Sequence, residues 1–306
     1  MSARTVAVAG ASGFMGRAIA RRLATIPDLQ LRLMSRNPDA ARARHGGIAG
    51  EFVRADVSDL ASLKRAVSGA SAVVNAVQFD GYPIEDPRRG LTFERVDYGG
   101  TIAMLDAAKS AGVAQFIYIS GAAADESSGH PAFRAKGKAE RAIRESGLAF
   151  TIFRPSLVYG PEDKVVNTFA KALRFAPVFA VPGTGRQKVQ PVLVDDLAAC
   201  VTLAIEGRGR NSTYEIGGPE LMTFDDLIRL IMELTGRRRP IIHIPESLMR
   251  AAGALAEKLP RPLFSRDAVR FVTADNACDI APLVRDFGVQ LTPARQGMAY
   301  LALAVS

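Results

Sequence analysis

Apolar and polar positions along the first half of the chain follow two different rhythms. Continuous apolar runs of strand length are separated by longer stretches in which apolar residues recur every three to four positions, the period of a helix buried along one face. The strand-like runs occupy residues 5–9, 29–34, 51–54, 71–77, 115–119 and 149–153. Apolar strands that alternate with amphipathic helices are typical of a parallel sheet covered on both faces. The pattern therefore predicts an α/β fold built on a doubly wound parallel sheet.

The rhythm changes after residue 155. Prolines break the chain into short pieces there, and a clear helical pattern returns only at 224–235. We expect a first domain over residues 1–155, which a strand near 213–217 rejoins. A smaller, mostly helical lobe is predicted over residues 156–306.

Residues 246–259 carry an amphipathic pattern within this lobe. One face of the predicted helix is formed by Leu248, Met249, Ala252, Leu255 and Leu259. We expect this face to belong to the core of the lobe, and a helix that faces a membrane or a partner is the alternative.

Charge extends the picture without deciding it. The 306 residues include 39 Lys and Arg against 31 Asp and Glu, a net charge of +8. The basic residues are interspersed with acids except at Arg237-Arg238-Arg239, and neither a recognition helix nor a basic arm is visible, so nucleic acid is not an expected partner. An anionic small molecule, an anionic membrane surface or an acidic protein would each match the excess.

Other classes of protein are disfavoured by composition. Cys200 and Cys278 are too few for a disulfide scaffold and wrongly spaced for zinc, and the three histidines lie far apart, so no metal site is predicted. No apolar run is long enough to span a membrane, and the first residues lack a signal-peptide pattern. We expect a cytoplasmic protein, with peripheral attachment to a membrane as a variant of that expectation. The sequence does not predict an oligomeric state.

The most informative motif is a glycine-rich turn between the first predicted strand and the first predicted helix. It has the form G-x-x-G-x-x-G, with glycines at Gly10, Gly13 and Gly16. Glycines allow a tight turn and a close approach of backbone to a pyrophosphate, and the helix N-terminus offers free N–H groups to that anion. The motif in this context predicts a dinucleotide-binding (Rossmann) domain. The expected contacts come from Gly10, Ser12, Gly13, Phe14, Met15 and Gly16.

The end of the second strand bears on which dinucleotide is bound. An NAD site needs an acid there to accept from the ribose 2′-OH, but this strand ends in Met34-Ser35-Arg36-Asn37. Arg36 is suited to a 2′-phosphate, which favours NADP(H), with NAD(H) as the alternative.

Two further strand ends are expected to line the cofactor. Asp56 and Val57 follow the third strand, where Asp56 either meets the adenine edge or only begins the turn before the next helix. Ala76 and Val77 end the fourth strand, and such small residues let the chain pass the ribose and nicotinamide.

With these residues placed, the chain resembles the short-chain dehydrogenase/reductase superfamily in its extended or atypical branch. More narrowly, it resembles the atypical group that includes the NADPH-binding accessory subunit of respiratory complex I and bacterial epimerase/dehydratase-like proteins. The resemblance covers nearly the whole chain. It is carried by the segments Gly10–Gly16, Ser35–Pro38, Ala107–Val113, Phe116–Ser120, Phe153–Pro161, Pro191–Ala198 and Tyr214–Glu220.

The resemblance implies a catalytic serine after the fifth strand and a Tyr-x-x-x-Lys pair on the next helix. Ser120 and Lys136 fall at the serine and lysine positions, but Ala132 stands where the tyrosine is expected. Lys136 is expected to contact the nicotinamide ribose as well, and the resemblance implies that Pro155 and Ser156 pass beside the nicotinamide. Lys136 alone is one candidate proton donor. The other candidates are His130, Tyr82, Tyr98 and Tyr159.

Two hypotheses about function follow. In the first, the protein is an NADPH-dependent oxidoreductase that acts on a small carbonyl or conjugated-alkene substrate without the usual tyrosine. In the second, it binds NADP(H) as a structural or redox-sensing ligand and presents a docking surface to a protein partner.

Overall fold

The computed structural model describes residues 4–257 and 266–303. Its strands are β1 Arg4–Ala9, β2 Leu29–Ser35, β3 Glu51–Arg54, β4 Ala72–Asn75, β5 Gln115–Ile119, β6 Ala149–Pro155, β7 Val158–Tyr159, β8 Phe179–Pro182, β9 Lys188–Val189, β10 Val192–Leu193, β11 Ser212–Ile216, β12 Met222–Thr223 and β13 Ile241–Ile244. Its helices are α1 Phe14–Leu23, α2 Pro38–His45, α3 Leu60–Val67, α4 Gly100–Ser110, α5 Pro131–Arg144, α6 Val165–Phe175, α7 Val194–Ile205, α8 Phe224–Leu234, α9 Glu246–Ala256, α10 Arg266–Thr273, α11 Ala281–Phe287, α12 Ala294–Gly297 and α13 Tyr300–Leu303. A 3₁₀ turn at Pro87–Arg89 and a π-helical segment at Phe93–Gly99 precede α4.

Seven strands form one parallel sheet, in the order β3-β2-β1-β4-β5-β6-β11. The chain reverses its direction of winding between β1 and β4, which is the doubly wound arrangement. Its central strands are apolar throughout because helices cover both faces of the sheet; β4 and β5 are buried at every position. The predicted fold class is confirmed.

The described residues divide into two compact units. The first contains the described residues of Met1–Pro155, together with Val194–Ile216 and Ile280–Gln290. It therefore holds the whole seven-stranded sheet. The second contains the described residues of Ser156–Leu193, Gly217–Asp279 and Leu291–Ser306. The second unit has its own apolar core, in which Leu227, Ile228 and Ile231 of α8 are fully buried. Short two-stranded pairs and helices make up the rest of it.

The expectation that residues 246–259 supply core is wrong for the part that the structure describes. On α9, the side chains of Leu248 and Leu255 are 61% and 68% exposed, and the buried residue of this helix is Gly253. Periodicity identifies an apolar stripe but does not say what covers it. Leu259 lies outside the described residues.

The parallel arrangement decides where the predicted site residues lie. Because the strands of the large sheet run in one direction, the segments that follow β1 to β6 leave it at one edge. The glycine turn, Arg36, Asp56 and Val77 all belong to such segments. Among the described residues, no helix is both long and apolar enough to cross a membrane.

Candidate cofactor site

The glycine turn links β1 to α1 in a conformation that requires two of its three glycines. Gly10 has φ +76°, and a Cβ on it would lie 2.5 Å from the carbonyl oxygen of Ala76. A Cβ on Gly16 would lie 2.1 Å from the carbonyl oxygen of Gly10. Gly13 has an ordinary φ of −79°, and a Cβ there would meet the Gly10 oxygen at 3.1 Å. Because Gly10 and Gly16 carry no side chains, the backbone of this turn packs tightly and its N–H groups are not covered by side chains at these two positions.

The same turn is prepared for an anion. Gly13 occupies the N-cap position of α1, no side chain caps the helix, and its first turn contains no acid. The leading N–H groups of α1 and its dipole therefore face outward with positive character. Arg17 adds a guanidinium whose Nη1 donates to the Ser12 carbonyl oxygen at 2.8 Å. The residues present fit the pyrophosphate of a dinucleotide.

Arg36, at the end of β2, has an exposed guanidinium paired with an acid that sequence reasoning did not identify. Its Nη2 donates to Asp80 Oδ2 at 2.8 Å, and both side chains are more than half exposed. An exposed ion pair of this kind contributes little to stability and can exchange partners. A 2′-phosphate would therefore have to compete with the Asp80 carboxylate for the Arg36 guanidinium.

Asp56, after β3, has a local role. Its Oδ1 accepts hydrogen bonds from the backbone N–H and the hydroxyl of Ser58, at 2.8 and 2.7 Å. Partial burial works against its charge, but these hydrogen bonds and the nearby Arg36 and Arg95 keep the pKa of Asp56 below its ordinary value. The structure thus shows the turn-forming alternative, while a contact with adenine stays a prediction. The neighbouring Val57 packs closely against Gly100. A Cβ on Gly100 would lie only 2.8 Å from the Val57 Cβ.

The end of β4 holds its backbone through a buried amide. Asn75 accepts from the Val77 N–H at 3.2 Å and donates to Thr101 Oγ1 at 3.2 Å. Ala76 donates its backbone N–H to the Ala9 carbonyl oxygen, which ties this strand end to the glycine turn. Ala76 and Val77 are therefore fixed beside the predicted pyrophosphate position.

Lys136 is buried, and its partner is a carboxylate. Its Nζ lies 3.5 Å from Asp97 Oδ1, and the side chains are 5% and 1% exposed. Asp97 belongs to the π-helical segment before α4, and neither of its carboxylate oxygens accepts a hydrogen bond from the residues that the structure describes. Burial raises the pKa of Asp97 to about 6 against the opposing effect of Lys136. Two buried acceptor atoms beside an ammonium are hydrogen-bonding capacity that a ligand hydroxyl or amide would use.

The place opened by the missing tyrosine is filled with aromatic rings. Ala132 is fully buried in a cluster with Phe79 and Phe93, against which Tyr82 packs. The rings of Phe79 and Phe93 stand edge to face with centroids 5.0 Å apart. No proton donor replaces the tyrosine at position 132 itself.

The candidate substitutes lie in differing surroundings. Burial, reinforced by Asp97, raises the pKa of Tyr82, and burial raises that of Tyr118, which lies under Lys136 with its ring centroid 5.6 Å from Nζ. His130 is the N-cap of α5, where Nδ1 accepts from the Ala132 N–H at 3.2 Å. Tyr98 has the Lys138 ammonium over its ring, and Tyr159 is buried in the core of the second unit. Lys136 remains the candidate best supported by its surroundings.

Ser120 is engaged elsewhere. Its hydroxyl donates to Glu140 Oε1 at 2.6 Å, and both residues are buried. Glu140 is also bound by Arg154, through Nε and Nη2, and by Arg144. The structure therefore does not bring Ser120 and Lys136 together in a hydrogen bond, and a catalytic role for Ser120 stays a prediction.

The two residues predicted beside the nicotinamide belong to different units. Pro155 ends β6, and its carbonyl oxygen accepts from the Ala122 N–H at 2.9 Å. Ser156 opens the second unit, where its hydroxyl donates to the Asn276 carbonyl oxygen at 2.7 Å. Their contacts with a cofactor stay predictions. Among the described residues, no group of three His, Cys, Asp or Glu side chains is arranged to hold a metal ion.

Sequence reasoning missed the acids that complete this site. Asp80 and Asp97 approach Arg36 and Lys136 from segments about forty residues away in the chain, so no local spacing announces them. The one available signal for Asp97 is its position just before the Gly99-Gly100 pair.

Comparisons with known proteins agree with this geometry. A family model described as NAD(P)H-binding matches residues 10–195. The chain is 29% identical over 286 residues to NADH dehydrogenase (ubiquinone) 1 alpha subcomplex subunit 9, mitochondrial, of Arabidopsis thaliana, covering 88% of this chain and 69% of that protein. It is 28% identical over 292 residues to the (4-alkanoyl-5-oxo-2,5-dihydrofuran-3-yl)methyl phosphate reductase of Streptomyces griseus, covering 92% of each.

A solved structure matches at the level of the fold. The NADPH-dependent quinone oxidoreductase of Escherichia coli, crystallised with NADPH, superposes with a TM-score of 0.73 at 22% identity over 98% of both chains. The predicted relationship and the prediction of NAD(P) binding are confirmed, because the family model spans more than half of the chain. The chain belongs to the NAD(P)H-binding family.

Proposed function

We propose that this protein is an NADP(H)-dependent reductase in which Lys136, held by Asp97, serves at the reacting centre in place of the usual tyrosine. The observation that carries the proposal is the buried pair itself, with Nζ and Oδ1 3.5 Å apart. A buried ammonium beside a carboxylate with two unused acceptors is expensive to maintain, which favours a role in binding and chemistry over one in stability. The first unit would bind the dinucleotide, and the second would take the substrate or a partner.

The dinucleotide would be held by residues of the first unit. Gly10, Gly13 and the leading N–H groups of α1 would bind the pyrophosphate, and Lys136 and Asp97 would hold ribose hydroxyls. When bound, the reduced nicotinamide supplies a hydride. The aromatic cluster of Phe79, Tyr82 and Phe93 would exclude water from the neighbouring face of Lys136.

An activated double bond or carbonyl is the substrate class that suits this arrangement. Hydride addition to an alkene conjugated with a carbonyl leaves the negative charge on an enolate oxygen, which is much less basic than an alkoxide. An ammonium such as Lys136 Nζ stabilises that charge and delivers a proton without needing a phenol. The Streptomyces relative supports this class, since its named substrate is a dihydrofuranone that carries an alkanoyl group.

The test of the proposal is a pair of lysine variants on one helix. Lys136→Met should lower the rate of NADPH oxidation with enone or carbonyl substrates at least a hundredfold, the usual contribution of a positioned proton donor. Lys138→Met is the matched control, because Lys138 pairs with Glu94 at the surface, at 2.9 Å. Stopped-flow absorbance of the nicotinamide measures both rates. Equal rates in the two variants, or no NADPH oxidation across the substrate panel, would contradict the proposal.

Preference for NADP(H) over NAD(H) would come from Arg36. A guanidinium can bind a 2′-phosphate through two hydrogen bonds, but Asp80 competes for the same donor. Arg36→Ala should lower the affinity for NADPH at least tenfold and leave NADH affinity nearly unchanged, as measured by calorimetric titration. A variant that keeps its preference for NADPH would refute this role.

An accessory role in a protein assembly is the second candidate. Its support is the similarity to subunit 9 of NADH dehydrogenase, together with Ala132 at the tyrosine position. In this case NADP(H) would copurify with the protein, resist exchange and never be oxidised by any substrate of the panel. Mass spectrometry of freshly purified protein, before and after incubation with substrate, distinguishes the two functions.

A further inference from the structure

Two segments of the second unit carry cations without any acid. Residues 164–194 contain five Lys and Arg and no Asp or Glu, and residues 234–245 contain the three arginines Arg237, Arg238 and Arg239 and again no acid. The first 27 residues carry four arginines and likewise no acid, but they belong to the first unit. The structure brings these two segments together, because β8 of the first pairs with β13 of the second.

The paired strands expose an apolar face. Ala180 lies opposite Ile242 in the register of the pair, and Phe179 donates its N–H to the Pro240 carbonyl oxygen. Because side chains alternate along a strand, Val178, Ala180, Pro240 and Ile242 share the outer side, and all four are exposed. His243, the next residue along β13, points to the opposite side from Ile242, and its Nε2 lies 3.0 Å from Asp225 Oδ1 on that side.

The end of α6 continues this face. Phe175, its last residue, is 72% exposed, with the Arg174 guanidinium 5.7 Å from the ring centroid. Lys171 lies one helical turn earlier on the same side as Phe175. Arg239 reaches α6 through a hydrogen bond from Nε to the Leu173 carbonyl oxygen, at 3.3 Å. Arg238 is exposed two positions before Pro240, so exposed apolar side chains are bordered by cations from both segments.

We propose that this apolar-basic face, formed by Phe175, Val178, Ala180, Pro240 and Ile242 with Lys171, Arg174 and Arg238 at its border, binds the surface of an anionic phospholipid bilayer. The apolar side chains enter the boundary between headgroups and acyl chains, and the cations meet lipid phosphates. The site is independent of the cofactor and of the reaction proposed above.

The size and chemistry of the face favour a membrane over a protein partner. A stable protein interface buries roughly 800 Å² on each partner, which five side chains of this size do not supply. Interfacial binding to a bilayer needs only a few inserted apolar groups, with about a fivefold gain in affinity from each cation near the surface. A lipid surface also imposes no shape, so a flat two-stranded face suffices.

Vesicle sedimentation of the full chain tests the proposal. The wild-type protein should bind vesicles of phosphatidylcholine mixed with phosphatidylglycerol, and it should release them as salt is raised. Phe175→Ser with Ile242→Ser should weaken this binding at least tenfold. Arg174→Gln with Arg238→Gln should weaken it about 25-fold at low salt, from the roughly fivefold effect of each cation.

Matched changes in the first unit provide the control. Leu60, which is 39% exposed on α3, and Arg44, exposed on α2, lie outside the apolar-basic face. Leu60→Ser with Arg44→Gln should bind vesicles like the wild type. The proposal is overturned if the wild-type protein ignores anionic vesicles, binds neutral ones equally well, or loses no binding in the face variants. A dimer that is lost on Phe175→Ser with Ile242→Ser, with no vesicle binding, would assign the face to a second copy instead.

Discussion

Asp97 and Lys136 are the residues whose state governs the chemistry of the site. Each would be costly to bury alone, and their separation of 3.5 Å lets each charge offset the other. Tyr82, Tyr118 and Glu85 also face the Asp97 carboxylate, and none of them is a cation. Lys136 is therefore the group that keeps Asp97 ionised at neutral pH, and Asp97 keeps the ammonium in place.

The raised pKa of Asp97 predicts a pH dependence of stability. A carboxyl with a pKa near 6 in the folded protein and 3.8 when unfolded binds more protons in the folded state between these values. Its contribution is therefore fully present below about pH 4 and is lost as pH rises through 6, up to about 3 kcal/mol. The free energy of unfolding of the wild type, relative to Asp97→Asn, should fall between pH 4 and pH 7 in urea denaturation. If the difference in unfolding free energy between the wild type and Asp97→Asn stays constant or grows with pH, burial does not outweigh Lys136 in setting the pKa of Asp97.

Ala132 shows how one small residue changes the meaning of a motif. The lysine of the superfamily's pair is retained, yet the space of its tyrosine is occupied by the rings of Phe79 and Phe93. Ala132 is thus fully buried against these rings. A sequence can reveal the missing tyrosine, but the rings that replace it come from another segment.

At the scale of elements, α5 is tied to β6 by Glu140. This carboxylate has no exposed surface and accepts hydrogen bonds from Ser120, Arg144 and Arg154. The guanidinium of Arg154 meets it through two nitrogens, the geometry of a strong charge-assisted pair. Because Lys136 stands one helical turn before Glu140, this anchor also fixes the position of the candidate catalytic lysine.

Removal of that anchor should be costly. Glu140→Ala removes the carboxylate that pairs with the half-buried Arg154, so we expect a loss of about 3–5 kcal/mol in the free energy of unfolding. Arg144→Ala is the matched control, since Arg144 is 42% exposed and its loss should cost less than about 1 kcal/mol. Urea denaturation measures both. Equal losses in the two variants would mean that Glu140 does not hold the helix against the strand.

The elements themselves were largely predictable from local pattern. The first six strands, α1 and the glycine turn follow from apolar runs and from Gly10, Gly13 and Gly16, because both signals are contained within a few neighbouring residues. Periodicity does not reveal the π-helical segment that precedes α4. The apolar stripe of α9 was recognised, but its exposure depends on neighbours that the stripe does not name.

Across the whole molecule, the fold could be predicted and the site only in part. Parallel topology follows from the alternation of strands and helices, and it brings the glycine turn, Arg36 and Val77 to one edge. The partners that set their properties come from distant segments: Asp80 for Arg36, and Asp97 for Lys136. Such contacts depend on tertiary packing, so spacing along the chain carries no record of them.

The net charge of +8 also has meaning only at this scale. Part of it lies beside the glycine turn and at the end of β2, where an anionic dinucleotide would use it. Another part lies in the two acid-free segments that border the apolar-basic face. If both proposals hold, the excess would serve two anionic ligands of different kinds, one in each unit.

The affinity of the Gly13→Asp variant for NADPH tests the central claim, that α1 binds the cofactor's pyrophosphate. Gly13 has an extended backbone at the N-cap of α1, where Asp is a favoured residue. That preference offsets the 3.1 Å approach of the new Cβ to the Gly10 carbonyl oxygen, so the variant should still fold. Its carboxylate would occupy the anion position, and opposed like charges cost several kcal/mol, so NADPH affinity should fall at least a hundredfold in calorimetric titration. Gly13→Ser places a similar neutral side chain there and should lose less than about tenfold. An Asp variant that binds NADPH as well as the Ser variant would contradict the account.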